Sequence, residues 1–542
     1  MTRPADPSLP GPHAFDAVVY AAPGLNYAAV PPLSQYVVYD SPDAGYDTGS
    51  IDISDFANLG SAPWPFPNTA MPINGQLRVP RGRGPFPLAL FAHGNHNPLV
   101  DSTPGYLYLC ELLASHGIIA ATIDVNFLNG FNFGENDARA IIHLEHLKQF
   151  RAWNSTANHP LCGQIDLTRI MIVGHSRGGE GVGHASYFNR LGAIQPTLVS
   201  PVVPLDGSAG LGPYGFRLSA VMAIAPTDAQ YVPLTGPTVV PDAYFLIHGS
   251  RDGDVFTFSG YDTFNRAHAV NLPNPTVSDF RPKGLLWVYW ANHNQFNSVW
   301  PSEFSGAPVL PRGEQEGIVK VYIGALAQAK LLDRHEYDAT LKDHAAAHAW
   351  LPPLLLCVSQ YQDPRRIFVQ HEQEGPGFPQ ISLPIQGVIL ADSVGAMRGL
   401  FDLANTFGPQ FTYTLRLDWN TSPARLPMNV DPTTFAAHRF SVLSFRTGQS
   451  VDPANVVDRD QDFTLEISTG MRTFTARASS FHRLLYPDTA VSAGKIVMQT
   501  VRVPIDALID RGLDPADIRQ ITLSFDQRPS GSIYVGEVQF SD

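Results

Sequence analysis

Ile170-Met171-Ile172-Val173-Gly174-His175-Ser176-Arg177-Gly178-Gly179 is the stretch on which the fold turns. Four consecutive apolar residues, two of them isoleucine and one valine, read as a strand buried on both faces. The small-residue run that follows, Gly178-Gly179-Glu180-Gly181-Val182-Gly183-His184-Ala185-Ser186, enters a helix able to pack closely on a sheet. Between them the chain must reverse so sharply that glycine is needed on both flanks, at Gly174 and Gly178. Ser176 is then held with its hydroxyl above the sheet and with a helix N-terminus beneath it, where developing negative charge is favoured.

Outward from this turn, the chain alternates buried strands with amphipathic helices. Pro87-Leu88-Ala89-Leu90-Phe91-Ala92, Ile118-Ile119-Ala120-Ala121-Thr122-Ile123, Leu218-Ser219-Ala220-Val221-Met222-Ala223-Ile224, Ala243-Tyr244-Phe245-Leu246-Ile247 and Gly284-Leu285-Leu286-Trp287-Val288 read as strands. Helices are expected over Tyr106–Ala114 and Asp137–Leu147, and a helical stretch from about Gly313 to Trp350. Such alternation predicts a mostly parallel sheet with helices on both faces. Before it, Asp16–Tyr20, Tyr36–Tyr39 and Gly75–Pro80 read as strands of an antiparallel opening.

The run Gly-His-Ser-Arg-Gly-Gly at 174–179 resembles the nucleophile elbow of the α/β-hydrolases, and within them that of chlorophyllases and related esterases; the histidine loop adds a likeness to platelet-activating-factor acetylhydrolases and cutinases. The resemblance implies a serine hydrolase of carboxylic esters with a hydrophobic portion, an esterase, lipase or polyester hydrolase, with no metal and no cofactor. It places the nucleophile at Ser176. The His93-Gly94-Asn95 segment stands where the family puts half of its oxyanion hole, so the backbone N–H groups of Asn95 and Arg177 are the implied donors, with Gly94 allowing close approach. The family's acid follows a late strand in a G-x-x-D-x-x-V setting, here Gly249, Asp252 and Val255; Asp254 is a rival, and Asp206 and Asp228 are further alternatives. The histidine sits in the loop after the last strand, which implies His293. Ser176, Asp252, His293 is also the chain order of an α/β-hydrolase triad. Phe131, Phe133 and Phe296 are candidates for a substrate wall, with a self-packed loop as the other reading of the first two. An amidase or acyltransferase would use the same triad, and a catalytically silent fold used for binding is a reading from another class.

At 542 residues the chain exceeds one ordinary core. We expect a poorly ordered N-terminus over 1–14, a catalytic domain over 15–350, a linker or crossing segment over 351–383, and an accessory domain over 384–542. Past 383 the pattern changes to alternating strands, among them 411–418, 463–468, 496–503, 521–526 and 531–540, which predicts an antiparallel jelly-roll-like sandwich. Its ending resembles galactose-binding-like and carbohydrate-binding modules, which implies a polymer or glycan surface as a partner beside the small or polymeric ester.

A net charge of −13 argues against a nucleic-acid partner. No apolar run is long enough to span a membrane. Cys110, Cys162 and Cys357 have no metal or redox spacing and read as reduced core residues. Asp458-Arg459-Asp460-Gln461-Asp462 begins like a calcium loop, but Phe463 stands where such a loop needs glycine, and it reads as a solvated acidic turn. The start, Met1-Thr2-Arg3-Pro4-Ala5-Asp6-Pro7, has no apolar signal region as it stands; a chain whose leader had been removed would be secreted, and otherwise it would be cytoplasmic.

Overall fold

The computed structural model describes residues 4–40, 45–57, 59, 62–130, 135–232, 240–267, 281–370, 400–405, 408–420, 423–490 and 495–542. The chain divides into two units, 1–270 with 288–356, and 271–287 with 357–542.

The first unit is built on a mixed sheet whose strands are β1 (Phe15–Ala21), β2 (Tyr46–Asp47), β3 (Gly75–Pro80), β4 (Phe86–Ala92), β5 (Ile119–Ile123), β6 (Ile165–His175), β7 (Leu218–Ile224) and β8 (Tyr244–Gly249). Strands β9 (Lys283–Val288) and β10 (Cys357–Gln362) follow in the chain. Within the first unit the order is β8-β7-β6-β4-β5-β3-β1-β2. The pairs from β5 through β4, β6 and β7 to β8 are parallel, whereas β3 runs antiparallel to both β1 and β5. β4, β5 and β8 are buried along their whole length, which is why their sequences are continuous apolar runs rather than alternating ones.

Helices α1 (Leu107–Ser115), α2 (Asn136–Ser155), α3 (Arg177–Phe188), α4 (Gly260–Arg266) and α5 (Arg312–Leu331) cover the sheet, α2 packing on α3 and α1 on α5. Among the described residues no helix is long and apolar enough to cross a membrane.

Three local expectations are corrected. Tyr36–Tyr39 is not a strand: Pro31–Tyr39 forms a kinked 3-10 stretch that begins with Pro31-Pro32. Tertiary packing outweighs the β propensity of the Tyr-Val-Val-Tyr run, because Tyr27, Tyr36 and Tyr39 are all fully buried and Tyr27 stacks on Tyr36. Residues 4–14 are not loose. His13 N–H donates to Ser115 O, Tyr337 Oη donates to Ala5 O, and Pro7 O lies where a side chain at Gly324 of α5 would stand. The proline-rich arm turns at Asp6–Leu9, where Leu9 N–H donates to Asp6 O, and its carbonyls at Ala5 and Leu9 meet the side chains of Tyr337 and His116. All three cysteines are reduced, but Cys162 is exposed rather than in the core.

The second unit holds two antiparallel sheets. One contains Leu400–Asn405, Gly408–Trp419, Gly531–Ser541, Val442–Gln449 and Gln499–Pro504 in that order, with Arg366–Gln370 also paired to Gly531–Ser541. The other is Ala424–Asn429, Gln520–Phe525, Thr464–Ser468 and Thr473–Arg477. They share one apolar core, to which the first sheet contributes Leu417, Phe445, Val501 and Val535, and the second Leu426, Leu465, Ile521 and Leu523. Strands β10 and Arg366–Gln370 both fall within the stretch read as a linker or crossing segment, 351–383, whose last part, 371–383, lies outside the described residues. In the acidic turn Asp460 pairs with Arg483, and Asp462 accepts from Ser479.

Arg139 of α2, fully buried, ties helix and loops together. Its guanidinium donates to Glu135 Oε1, His93 O, Leu128 O and Asn129 Oδ1. Removing it leaves the buried Glu135 carboxylate with Arg177 as its one arginine partner and takes a charged donor from the carbonyls of His93 and Leu128. Arg139→Ala should therefore cost about 3 kcal/mol or more. Urea unfolding of the full chain, followed by tryptophan fluorescence, checks this; an unchanged midpoint would contradict it.

Candidate active site

The sharp turn lies at the junction of β6 and α3. Ser176 has φ +57° and ψ −126°, a conformation L-residues adopt only when the surroundings over-determine it, and its O accepts the N–H groups of Gly179 and Glu180. The neighbouring backbone is packed too tightly for side chains. A Cβ on Gly174 would sit 2.0 Å from Gly178 O, and one on Gly178 would sit 2.6 Å from His93 O. A Cβ on Gly94 would meet Ser176 Cβ at 2.4 Å and Ser176 Oγ at 3.0 Å. The His93-Gly94-Asn95 loop therefore stands directly against the serine. Asn95 is oriented by its side chain, whose Oδ1 accepts the Gly130 N–H at 2.8 Å. Arg177, the first residue of α3, is anchored by its guanidinium 2.9 Å from Glu135 Oε1.

Asp252 and His293 come from the loops after β8 and β9. His293 Nδ1 donates to Asp252 Oδ2 at 2.8 Å, and both residues are buried. Asp252 Oδ1 accepts the N–H groups of Asp254 at 3.0 Å and Val255 at 2.6 Å. Burial alone would raise the Asp252 carboxyl, but the neighbouring His293 charge and the hydrogen bonds around it hold it well below the ordinary carboxylate range. Burial alone would likewise lower His293; the Asp252 charge overrides it, with help from Asp254 and Glu303, and lifts the imidazole to about 9. Asp254, the rival acid, differs in kind: its side chain is 61% exposed and stands 3.6 Å from the other ring nitrogen, Nε2. Asp206 is exposed, and Asp228 is paired with Arg266.

Nε2 of His293 is buried and has no hydrogen-bond partner among the described residues, Ser176 Oγ included. Hydrogen bonds of this kind commonly tighten only when substrate binds. His175, the residue before Ser176, has its ring centroid 4.7 Å from that of His293. His175 is fixed by Tyr106 Oη at 2.7 Å and packs against Trp300, and Trp300 stacks on His96. Phe296 is fully buried and edge-on to His175, so it supports the site rather than lining an open wall. Phe131 and Phe133 lie outside the described residues.

Sequence reasoning missed His248, whose Nε2 lies 3.0 Å from Asp252 Oδ2. Its signal was its place, the last side chain of β8 before Gly249. It also missed Gln315 of α5, which brackets Asn292 by accepting its N–H at 3.1 Å and donating to its O at 2.8 Å.

No family model matches the chain, and no curated protein is significantly similar to it.

The exposed Asp254 carboxylate faces the nitrogen that carries the second proton, so its negative charge favours imidazolium. Asp254→Asn should lower the His293 titration midpoint by about half a pH unit, screening included. NMR titration of the ring, assigned by its loss in His293→Asn, measures this; a midpoint unchanged or raised would refute the arrangement.

Proposed function

We propose that the first unit is the catalytic domain of an α/β-hydrolase acting through a Ser-His-Asp triad. Within that class, our reading is a carboxylic ester hydrolase for esters with a hydrophobic portion. The observation that carries it is the buried Asp252–His293 hydrogen bond, whose imidazole packs on His175, the residue before a serine held at positive φ against Gly94.

In the proposed reaction Ser176 Oγ attacks the ester carbonyl carbon while His293 Nε2 takes its proton. The carbonyl oxygen becomes an oxyanion, held by the N–H groups of Asn95 and Arg177. Asp252 keeps the imidazole in the tautomer with Nδ1–H and stabilises its charged form. Collapse of the tetrahedral intermediate breaks the bond to the alcohol, which leaves with the proton from His293. Water, deprotonated by the same imidazole, then cleaves the acyl-enzyme and releases the acid. An amidase or acyltransferase would share the first half of this sequence, and product analysis with added alcohols separates the acyltransferase.

Because only neutral His293 accepts the serine proton, kcat/KM should rise with pH through a midpoint near 9 and level off above it. A p-nitrophenyl ester series of increasing acyl length should be hydrolysed by the wild type. Ser176→Ala should reduce kcat by about a thousandfold or more. Equal rates in the two proteins would overturn the assignment, and the length optimum would size the acyl site.

A further inference from the structure

The two loops that supply Asp252 and His293 are separate in sequence and are joined by the Asp252–His293 pair, by the Arg251 N–H on Ala291 O and by the Trp290 N–H on Ser250 Oγ. One further side chain holds the backbone of both at the triad residues themselves. Glu303, half-buried in the segment after the histidine loop, accepts the N–H of His293 at 2.6 Å through Oε1 and the N–H of Asn294 at 2.9 Å through Oε2. The same Oε1 accepts the N–H of Gly253, between Asp252 and Asp254, at 3.3 Å. Gly253 is shaped for this approach: a Cβ there would stand 2.5 Å from Phe304 O and 3.2 Å from Glu303 Cγ.

We infer that Glu303 is a positioning residue that clips the acid turn to the histidine loop, through one carboxylate shared by three backbone amides. Charge-assisted bonds to backbone N–H groups are about twice as strong as neutral ones, and a misplacement of about 1 Å in such a site costs about a hundredfold in rate. No neutral side chain of this size presents two oxygens, so a carboxylate is required. Its charge acts on the imidazole as well. The charged and titratable groups around His293 are Asp252 on Nδ1, Asp254 beside Nε2, Glu303 on the backbone, His175 against the ring and His248 behind Asp252. Removing the Glu303 charge takes away one of the three that favour imidazolium.

This role rests on the hydrolase reading for its effect on rate, but not for its effect on the backbone. The test compares wild type, Glu303→Gln, Glu303→Ala and Ser176→Ala as full-length proteins. Amide hydrogen exchange at Gly253, His293 and Asn294 should be at least tenfold faster in Glu303→Ala than in wild type. Glu303→Gln, which keeps one acceptor oxygen, should be intermediate. The His293 ring should titrate lower in both Glu303 variants. On p-nitrophenyl esters, Glu303→Ala should lose about a hundredfold in kcat with KM within about threefold, and Glu303→Gln should recover part of the loss. If Ser176→Ala abolishes hydrolysis while Glu303→Ala matches wild type in exchange, titration and kcat, the clip is refuted and the hydrolase stands. If no ester is cleaved but exchange and titration move as stated, the clip stands and the hydrolase reading falls. Thermal melting separates either result from global unfolding, which would accelerate exchange throughout the chain and refute a local clip.

Discussion

A serine at φ +57° between a strand and a helix persists only if the backbone around it closes in from several sides. Here that constraint is met by three glycines that come from two different places in the chain. Gly174 and Gly178 let the turn fold onto itself, and Gly94 lets a loop from the neighbouring strand β4 reach the serine. Because β4 pairs directly with β6, the loop arrives at the turn by sheet register rather than by its own preference. The remaining elements hold that register: Arg139 grips the carbonyl of His93, and the same Glu135 that pairs with Arg139 also anchors Arg177.

The second constraint is electrostatic. Asp252 is buried, yet it stays ionised because two backbone amides meet one oxygen and two imidazoles approach the other. A charge so placed costs desolvation, and the packing of His248 and His293 around it offsets that cost. What the acid gains from burial is a fixed geometry. Asp254, only two residues away, faces solvent and acts on the opposite nitrogen of the same ring. Two carboxylates of one turn thus have separate effects on one histidine, decided by burial.

The parallel strands and the helices between them were legible in the chain because strands buried on both faces must be apolar throughout, as β4, β5 and β8 are. In the four-stranded sheet of the second unit the complementary reason holds, since Thr464–Ser468 buries alternate residues, whereas Val442–Gln449 and Gly531–Ser541 of the other sheet are buried throughout. The turn at Ser176 was visible in its flanking glycines. The reading failed where local preference and packing disagree: Tyr36-Val37-Val38-Tyr39 has strand composition but joins a 3-10 stretch, drawn there by tyrosines that bury their rings together. The proline-rich start looked loose because its partners, near Ser115 and Tyr337, are far away in sequence.

The sequence by itself therefore determined the elements, the turn at Ser176 and a short set of candidate acids and bases, because each depends on residue type and near-neighbour spacing. Which carboxylate faces Nδ1 of His293, that His248 and Glu303 attend the same loops, and that Phe296 is buried support were decided only by tertiary structure. The physical reason is distance. Hydrogen bonds, burial and field act through space across loops that the chain separates by tens of residues, and no local pattern records which of several equivalent side chains will meet.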